Sequence, residues 1–320
     1  MHRLNDLRTM TGNDPISGKK VFVAGHNGMV GSAIMRKLEP EDCDVVTASH
    51  DELDLTCQSE VSAWFASHQP DTVFLAAARV GGIIANNDYP VDFLLQNLQI
   101  QTNIIQSAFE SGAGKLVFLG SSCIYPKFAT QPIKENALLT DALEPTNEWY
   151  AIAKITGIKL CQAYQRQHGA DFISAMPCNL YGINDNFDLE SSHVVPALMR
   201  KAHEAKLNNT KLTVWGTGSP RREFLFADDA ADGVVYLARN YTGYEHVNVG
   251  SGKDFQIREI VDLICTTVGF EGEIEYDTSR PDGTPRKLMD NGKIRGLGWT
   301  PSVDFETGLK TMYAWYRDHG

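Results

Sequence analysis

The sequence predicts an α/β fold, a doubly wound parallel sheet joined to a smaller α+β lobe. Three observations carry the prediction. A short apolar run near the start leads straight into a glycine-spaced turn and a helical stretch. Apolar runs of strand length then alternate with helical segments, the pattern of a parallel sheet covered by helices on both faces. From Gly182 the chain changes texture, with loops, turns such as Gly216-Thr217-Gly218-Ser219-Pro220, and strands interrupted by charge.

Lys19-Lys20-Val21-Phe22-Val23-Ala24-Gly25 is rich in β-branched and aromatic residues, as suits a buried parallel strand. Gly25-His26-Asn27-Gly28-Met29-Val30-Gly31 follows with G-x-x-G-x-x-G spacing, and a helix is expected to about Leu38. Glycine permits the tight turn, lets the backbone approach a pyrophosphate, and allows close helix–strand packing. The helix start then offers unpaired N–H groups to the phosphates. Strand before and helix after make this a Rossmann-type dinucleotide signature.

Further strands are expected over 44–48, 72–77, 116–120 and 172–176. A last one over 246–249 follows a helix containing 230–239 and returns to the sheet. The dinucleotide-binding domain is therefore expected to take 19–181 and about 227–250. The second lobe takes most of 182–320, with substrate in the cleft between them. Residues 1–18 are polar, precede the first strand, and are read as a flexible extension.

Hydrophobic residues make up 42% and charged residues 22% of the 320, the balance of a soluble globular protein. No apolar run is long enough to span a bilayer, so no membrane partner is expected. The start lacks the apolar core of a secretory signal. A net charge of −11 argues against nucleic acid but allows an anionic small ligand held by local cations. The six cysteines show no C-x-x-C pair and no zinc spacing, so no metal is expected. Five read as reduced thiols of a cytoplasmic protein; Cys123 is set apart by its neighbours.

Asn147 reads as the N-cap of a helix that runs from Tyr150 to His168 and stops at Gly169. Tyr150 and Lys154, four residues apart, share one face of it. A phenol titrates near ~10, and a neighbouring ammonium is expected to bring it toward acid/base work at neutral pH. Leu119-Gly120-Ser121-Ser122-Cys123-Ile124-Tyr125-Pro126 begins at a strand's C-terminal end, where open α/β sheets place ligands. A serine hydroxyl there would join Tyr150 in binding a carbonyl oxygen. Serine, tyrosine and lysine on such a fold resemble the short-chain dehydrogenase/reductase family. The length, the Asn179-Leu180-Tyr181-Gly182 segment and the second lobe resemble its extended, nucleotide-sugar branch.

Finer motifs resemble the GDP-L-fucose synthase family from about residue 20 to the end. They are Gly25 to Ile34, Val80-Gly81-Gly82-Ile83, Ala85-Asn86-Asn87 and Gly120 to Pro126. Leu143-Glu144-Pro145-Thr146-Asn147-Glu148, Ser192-His193-Val194-Val195-Pro196-Ala197-Leu198, Arg222-Glu223-Phe224 and Pro281-Asp282-Gly283-Thr284-Pro285-Arg286-Lys287 complete the set. That family converts GDP-4-keto-6-deoxy-D-mannose to GDP-L-fucose, epimerising C3 and C5 and then reducing C4 with NADPH. Inversion needs proton removal on one face and return on the other, so two acid/base groups beyond Tyr150 are wanted.

The resemblance assigns Cys123 and His193 to that pair. Both titrate within reach of neutrality, near ~8.5 and ~6.5. It makes Tyr150 the proton donor to the C4 oxygen and puts Lys154 on the cofactor ribose. Ser121, or Ser122, steadies the ketone oxygen and enolate. NADPH would lie on Gly25, His26, Asn27, Gly28, Met29, Val30 and Gly31, and on Leu119, Gly120, Ser121, Ser122, Tyr150 and Lys154. Pro177, Cys178, Asn179, Leu180 and His193 would border its nicotinamide. Lys201, Trp215, Arg222, Asp282 and Lys287 would hold the GDP-sugar, with Arg222 and Lys287 favoured over Asp282 and a core position equally open to Trp215.

One departure stands out. The family commonly places arginines for the NADPH 2′-phosphate where this chain has Asn27 and Ala48-Ser49-His50. NADPH is expected, with NADH left open. The alternatives are another extended-branch enzyme, a nucleotide-sugar 4-epimerase or 4,6-dehydratase, and a non-catalytic coenzyme sensor. A dehydratase calls for an acidic group near the two serines, and a sensor tends to lose the tyrosine or lysine. The resemblance also implies a homodimer in which helices over about 91–111 and 147–168 build a four-helix bundle.

Overall fold

The structure, a computed structural model, describes residues 14–189, 191–279 and 282–319. In chain order its first half contains β1 (Lys19–Ala24), α1 (Met29–Leu38), β2 (Cys43–Val46), α2 (Gln58–His68), β3 (Thr72–Leu75), α3 (Ile83–Asp88), α4 (Pro90–Glu110), β4 (Lys115–Leu119), α5 (Glu148–His168) and β5 (Phe172–Pro177). There follow β6 (Asn179–Tyr181), α6 (Val194–Asn208), β7 (Leu212–Trp215), β8 (Arg221–Phe226), α7 (Ala227–Asn240) and β9 (Val247–Val249). The chain closes with β10 (Asp254–Gln256), α8 (Ile257–Val268), β11 (Ile274–Asp277), β12 (Arg286–Lys287), α9 (Gly292–Gly296) and α10 (Phe305–His319).

Six parallel strands form the main sheet in the order β2-β1-β3-β4-β5-β9. Every residue of β3, β4 and β5 is buried, because helices cover both faces and leave no solvated side to alternate with. Even Lys115 is inside; its ammonium is held by Asp171 and by the carbonyl of Tyr241. β1 lies between β2 and β3, so the winding reverses there. The crevice beyond the C-terminal ends of β1 and β3 is the switch point where such sheets bind ligands.

The expected α/β class is met, and α1 ends at Leu38 as its pattern indicated. Several boundaries differ. The strands expected over 44–48 and 72–77 stop at Val46 and Leu75; β3 ends in register with Ala24, where its partner β1 gives way to the glycine turn. Asn147 does occupy the N-cap of α5, but its side chain makes no capping bond, since a 3-10 turn over Pro145–Asn147 leads into the helix. Residues 1–13 lie outside the described residues. Residues 14–18 are not a loose extension: Ile16 is fully buried in the main core, and Asp14 pairs with Arg239.

After β5 the chain leaves the main sheet. β6 pairs with β8, which also carries β10 and β12, while β11 pairs with β7. A second apolar core gathers here from α6, α8 and α10, including Met199, Ile260, Ile264, Leu309 and Met312. α7 and β9 return to the first core, with Ala230, Val234 and Val247 fully buried in it. One carboxylate knits the lobe together. Glu223, 1% exposed, accepts from the backbone N–H of Met289 and Gly252 and from the Asn291 amide.

Candidate active site

The glycine turn is shaped by contact as well as by torsion. Gly25 has φ +86°, and a Cβ there would sit 2.7 Å from the Ala77 backbone beyond β3. A Cβ on Gly31 would fall 2.0 Å from the Gly25 carbonyl oxygen. Only hydrogens fit, so α1 packs tightly against the turn and points its free N–H groups into the crevice.

The residues beyond β4 line the same crevice. Ser121 is extended, and its hydroxyl accepts from the Cys123 N–H at 3.4 Å. Ser122 and Cys123 open a short 3-10 turn and are both buried, whereas Ser121 is half-buried. Of the two serines, Ser121 is the more accessible.

α5 brings Tyr150 and Lys154 to this place, as their spacing requires. The Lys154 Nζ donates to the Leu119 carbonyl at 2.8 Å, 4.9 Å from the Phe118 ring centre and 5.7 Å from that of Tyr150. Burial lowers the Lys154 pKa to about 8, with Cys123 opposing the change. Tyr150 departs from the expectation. Burial pushes its phenol up, Cys123 adds to the rise, and the nearby ammonium does not bring it down. The phenol is therefore protonated at neutral pH, the form that donates a proton.

His193 caps α6 and is solvent-exposed. Partial desolvation by the protein atoms around the ring, and then the charge of Lys287, hold its pKa below the ordinary imidazole value. Cys123 is raised by burial, against a lowering by Lys287, by Ser121 and by Lys154. Lys287 is thus an electrostatic neighbour of both groups. It lies on β12 in register with Arg222 on β8, and each cation is itself lowered by desolvation. Two cations side by side are unfavourable until an anion comes between them.

The remaining sequence candidates separate. Trp215 is 48% exposed, not a core residue, and the Lys201 ammonium lies 4.7 Å from its ring centre. Asp282 has its two carboxylate oxygens taken up by the N–H and hydroxyl of Thr217, so it holds the turn after β7. Pro281 lies outside the described residues. Pro177, Cys178, Asn179 and Leu180 form the β5–β6 junction, where the Cys178 N–H bonds Val249 and the Asn179 amide bonds the Glu223 carbonyl. Burial raises the Cys178 thiol well above its usual range.

Two contributors were missed from sequence. Glu223 stood in a quoted motif, but its role as a buried anchor of the Met289 and Gly252 backbone has no local signature. Asn184 reaches the glycine turn through its side-chain amide, and its only cue is the loop position after Tyr181-Gly182.

Together these features define a dinucleotide-dependent enzyme of the extended type. The chain belongs to the NAD dependent epimerase/dehydratase family, whose model matches residues 21–250. Within it the chain groups with the GDP-L-fucose synthases. It is 62% identical to GDP-L-fucose synthase 1 of Arabidopsis thaliana over 93% of both chains. It is 50% identical to GDP-L-fucose synthase of Escherichia coli (strain K12), over 95% of this chain and 98% of that one. A GDP-L-fucose synthetase structure from Naegleria fowleri bound to NADP superimposes with a TM-score of 0.89 at 28% identity, over 96% of both chains.

The residues present fit a dinucleotide. The glycine cradle leaves room for the diphosphate, and His26 on the turn has a buried Nδ1 with no hydrogen-bond partner. An orphaned polar atom beside such a cradle is accounted for by a bound polar group. Among the described residues no His, Cys, Asp and Glu group could hold a metal ion, and no helix is long and apolar enough to cross a membrane.

Proposed function

We propose that the enzyme converts GDP-4-keto-6-deoxy-D-mannose to GDP-L-fucose in one site that carries both activities, 3,5-epimerisation and NADPH-dependent 4-reduction. The observation that carries this reading is the position of Lys287. It acts electrostatically on Cys123 and His193, and it is the cross-strand neighbour of Arg222. A GDP-sugar whose diphosphate lies at these cations would present its hexose to the thiol, the imidazole and the phenol.

The C4 ketone acidifies the protons at C3 and C5, since loss of either gives an enolate. In the resting site the Cys123 thiol holds its proton and the His193 imidazole is neutral, so one group is ready to give and the other to accept. Ser121 donates to the ketone oxygen and steadies the enolate. Tyr150, kept protonated by burial, gives its proton to the C4 oxygen in the last step. NADPH, when bound, supplies the hydride that reduces C4. Lys154 stands beside the phenol to hold the ribose, and Arg222, Lys287 and Lys201 with Trp215 bind the nucleotide end.

The decisive experiment mixes the purified protein with NADPH and GDP-4-keto-6-deoxy-D-mannose and identifies the sugar by NMR. GDP-L-fucose with one coenzyme oxidised per sugar is expected. A product with unchanged C3 and C5 configuration would sink the assignment, and coenzyme recycled without net oxidation would favour a 4-epimerase. NADPH is the expected coenzyme despite Asn27 and His50, and a clear steady-state preference for NADH would overturn that choice.

The same reading includes a homodimer. α4 and α5 pack against each other and leave Val91, Leu95 and Trp149 at 67%, 50% and 40% exposure. A second copy of the same helix pair would cover that strip in a four-helix bundle. The six free thiols support a reducing, cytoplasmic setting.

A further inference from the structure

The loop from Gly182 to His193 makes a contact that no step above uses. The side-chain amide of Asn184 donates to the main-chain carbonyl of Asn27 at 2.6 Å, across 157 residues of sequence. Asn27 belongs to the glycine turn of the dinucleotide crevice, whereas the loop ends on His193. Asn184 holds φ +65°, a left-handed conformation that asparagine tolerates better than most residues. A non-glycine residue in that region, tied by its side chain to a distant loop, is a constraint the rest of the structure maintains.

Beyond Asn184 the loop is held by hydrogen bonds of its own. The Asn186 amide donates to the Ser191 hydroxyl, which donates to Asp188, and the Ser192 N–H bonds the Asp188 carbonyl. The Ser191 carbonyl accepts from the Gly82 N–H, which fixes the far end of the loop to the main domain. His193 comes next, at the N-terminus of α6. Buried atoms without a hydrogen-bond partner occur at both ends: His26 Nδ1 in the glycine turn, and Asp185 Oδ2 and Ser192 Oγ in the loop.

We propose that Asn184 is a positioning residue that couples the coenzyme turn to His193, so that coenzyme in the crevice sets the loop for proton transfer at the sugar. The proposal rests on the role given to His193 above. Its consequence is that an oxidised coenzyme, which donates no hydride, accelerates epimerisation. The coupling belongs to the range usual between linked sites, roughly 5- to 150-fold.

The test follows deuterium entry from heavy water into GDP-4-keto-6-deoxy-D-mannose at saturating sugar, with and without NADP+. Wild type is expected to exchange about fivefold or more faster with NADP+. In Asn184→Gly, which accepts φ +65° but lacks the amide, the ratio should fall below about twofold. Asn184→Asp, which keeps the shape and loses the donor, should behave like Asn184→Gly. A lesion of stability alone lowers both rates and leaves their ratio intact. An unstimulated wild type, or either variant that keeps the wild-type ratio, overturns the coupling. Absence of exchange in wild type, or exchange unaffected by His193→Asn, overturns the role of His193 instead, so the two failures are distinguishable.

Discussion

The ammonium of Lys154 donates to the main-chain carbonyl of Leu119 at 2.8 Å, which ties α5 to the end of β4 inside the crevice. The bond holds the lysine beside Tyr150, yet the charge sits where water cannot solvate it. Lys154 therefore titrates at about 8, below the ~10.4 of an unfolded lysine. The unfolded chain binds that proton more tightly, so this charge opposes folding in full below about pH 8 and ceases to do so above ~10.4. Compared with Lys154→Met, the native enzyme should gain thermal stability as pH rises through that window. Parallel melting curves at several pH values check this, and a constant gap between the two proteins would refute it.

Tyr150→Phe removes the hydroxyl proposed as the proton donor while leaving ring packing against Phe93 intact. Reduction should fall roughly 10²- to 10⁴-fold, the usual worth of a positioned acid. Nucleotide binding, followed by coenzyme fluorescence, should change little. A reductase within a few-fold of normal would remove Tyr150 from the mechanism.

Lys287 lowers both the thiol of Cys123 and the imidazole of His193, since a cation favours thiolate and disfavours imidazolium. Lys287→Met should raise both, moving the acid and alkaline limbs of the deuterium-exchange profile to higher pH together. It should also weaken GDP-sugar binding. Cys123→Ser and His193→Asn should instead lower exchange at all pH values, by about 10²-fold or more.

Glu223→Ala leaves the N–H groups of Met289 and Gly252 and the amide of Asn291 without their acceptor in a buried place. The cost should be on the order of 3 kcal/mol. Denaturant unfolding measures it, and a loss below ~0.5 kcal/mol would show the carboxylate to be dispensable.

Leu95→Glu sets a charge on the exposed strip of α4. The native protein should sediment as a dimer and the variant as a monomer. A native monomer ends the bundle proposal.

Local patterns reported much of this molecule because they report on local physics. The glycine spacing at 25, 28 and 31 is dictated by distances within a single turn, and the 150/154 pair by helix periodicity. Both are visible in the chain alone. The extent of β3 was less legible, because it ends where its partner β1 ends, and that partner is set by the sheet and not by local pattern. The phenol of Tyr150 shows the same limit on the chemical side. Sequence placed an ammonium near it, but desolvation, which only the packed crevice creates, raises the phenol instead.

The chain by itself determined the α/β class, the dinucleotide turn and the families of side chains available for proton transfer, since each follows from periodicity or from residue type at short range. Tertiary structure alone decided which distant groups share a field: Lys287 beside Cys123 and His193, Arg222 in register with Lys287, Asn184 against Asn27. Those relationships join segments from 65 to more than 150 residues apart in the chain, and no short-range rule encodes contacts at that separation.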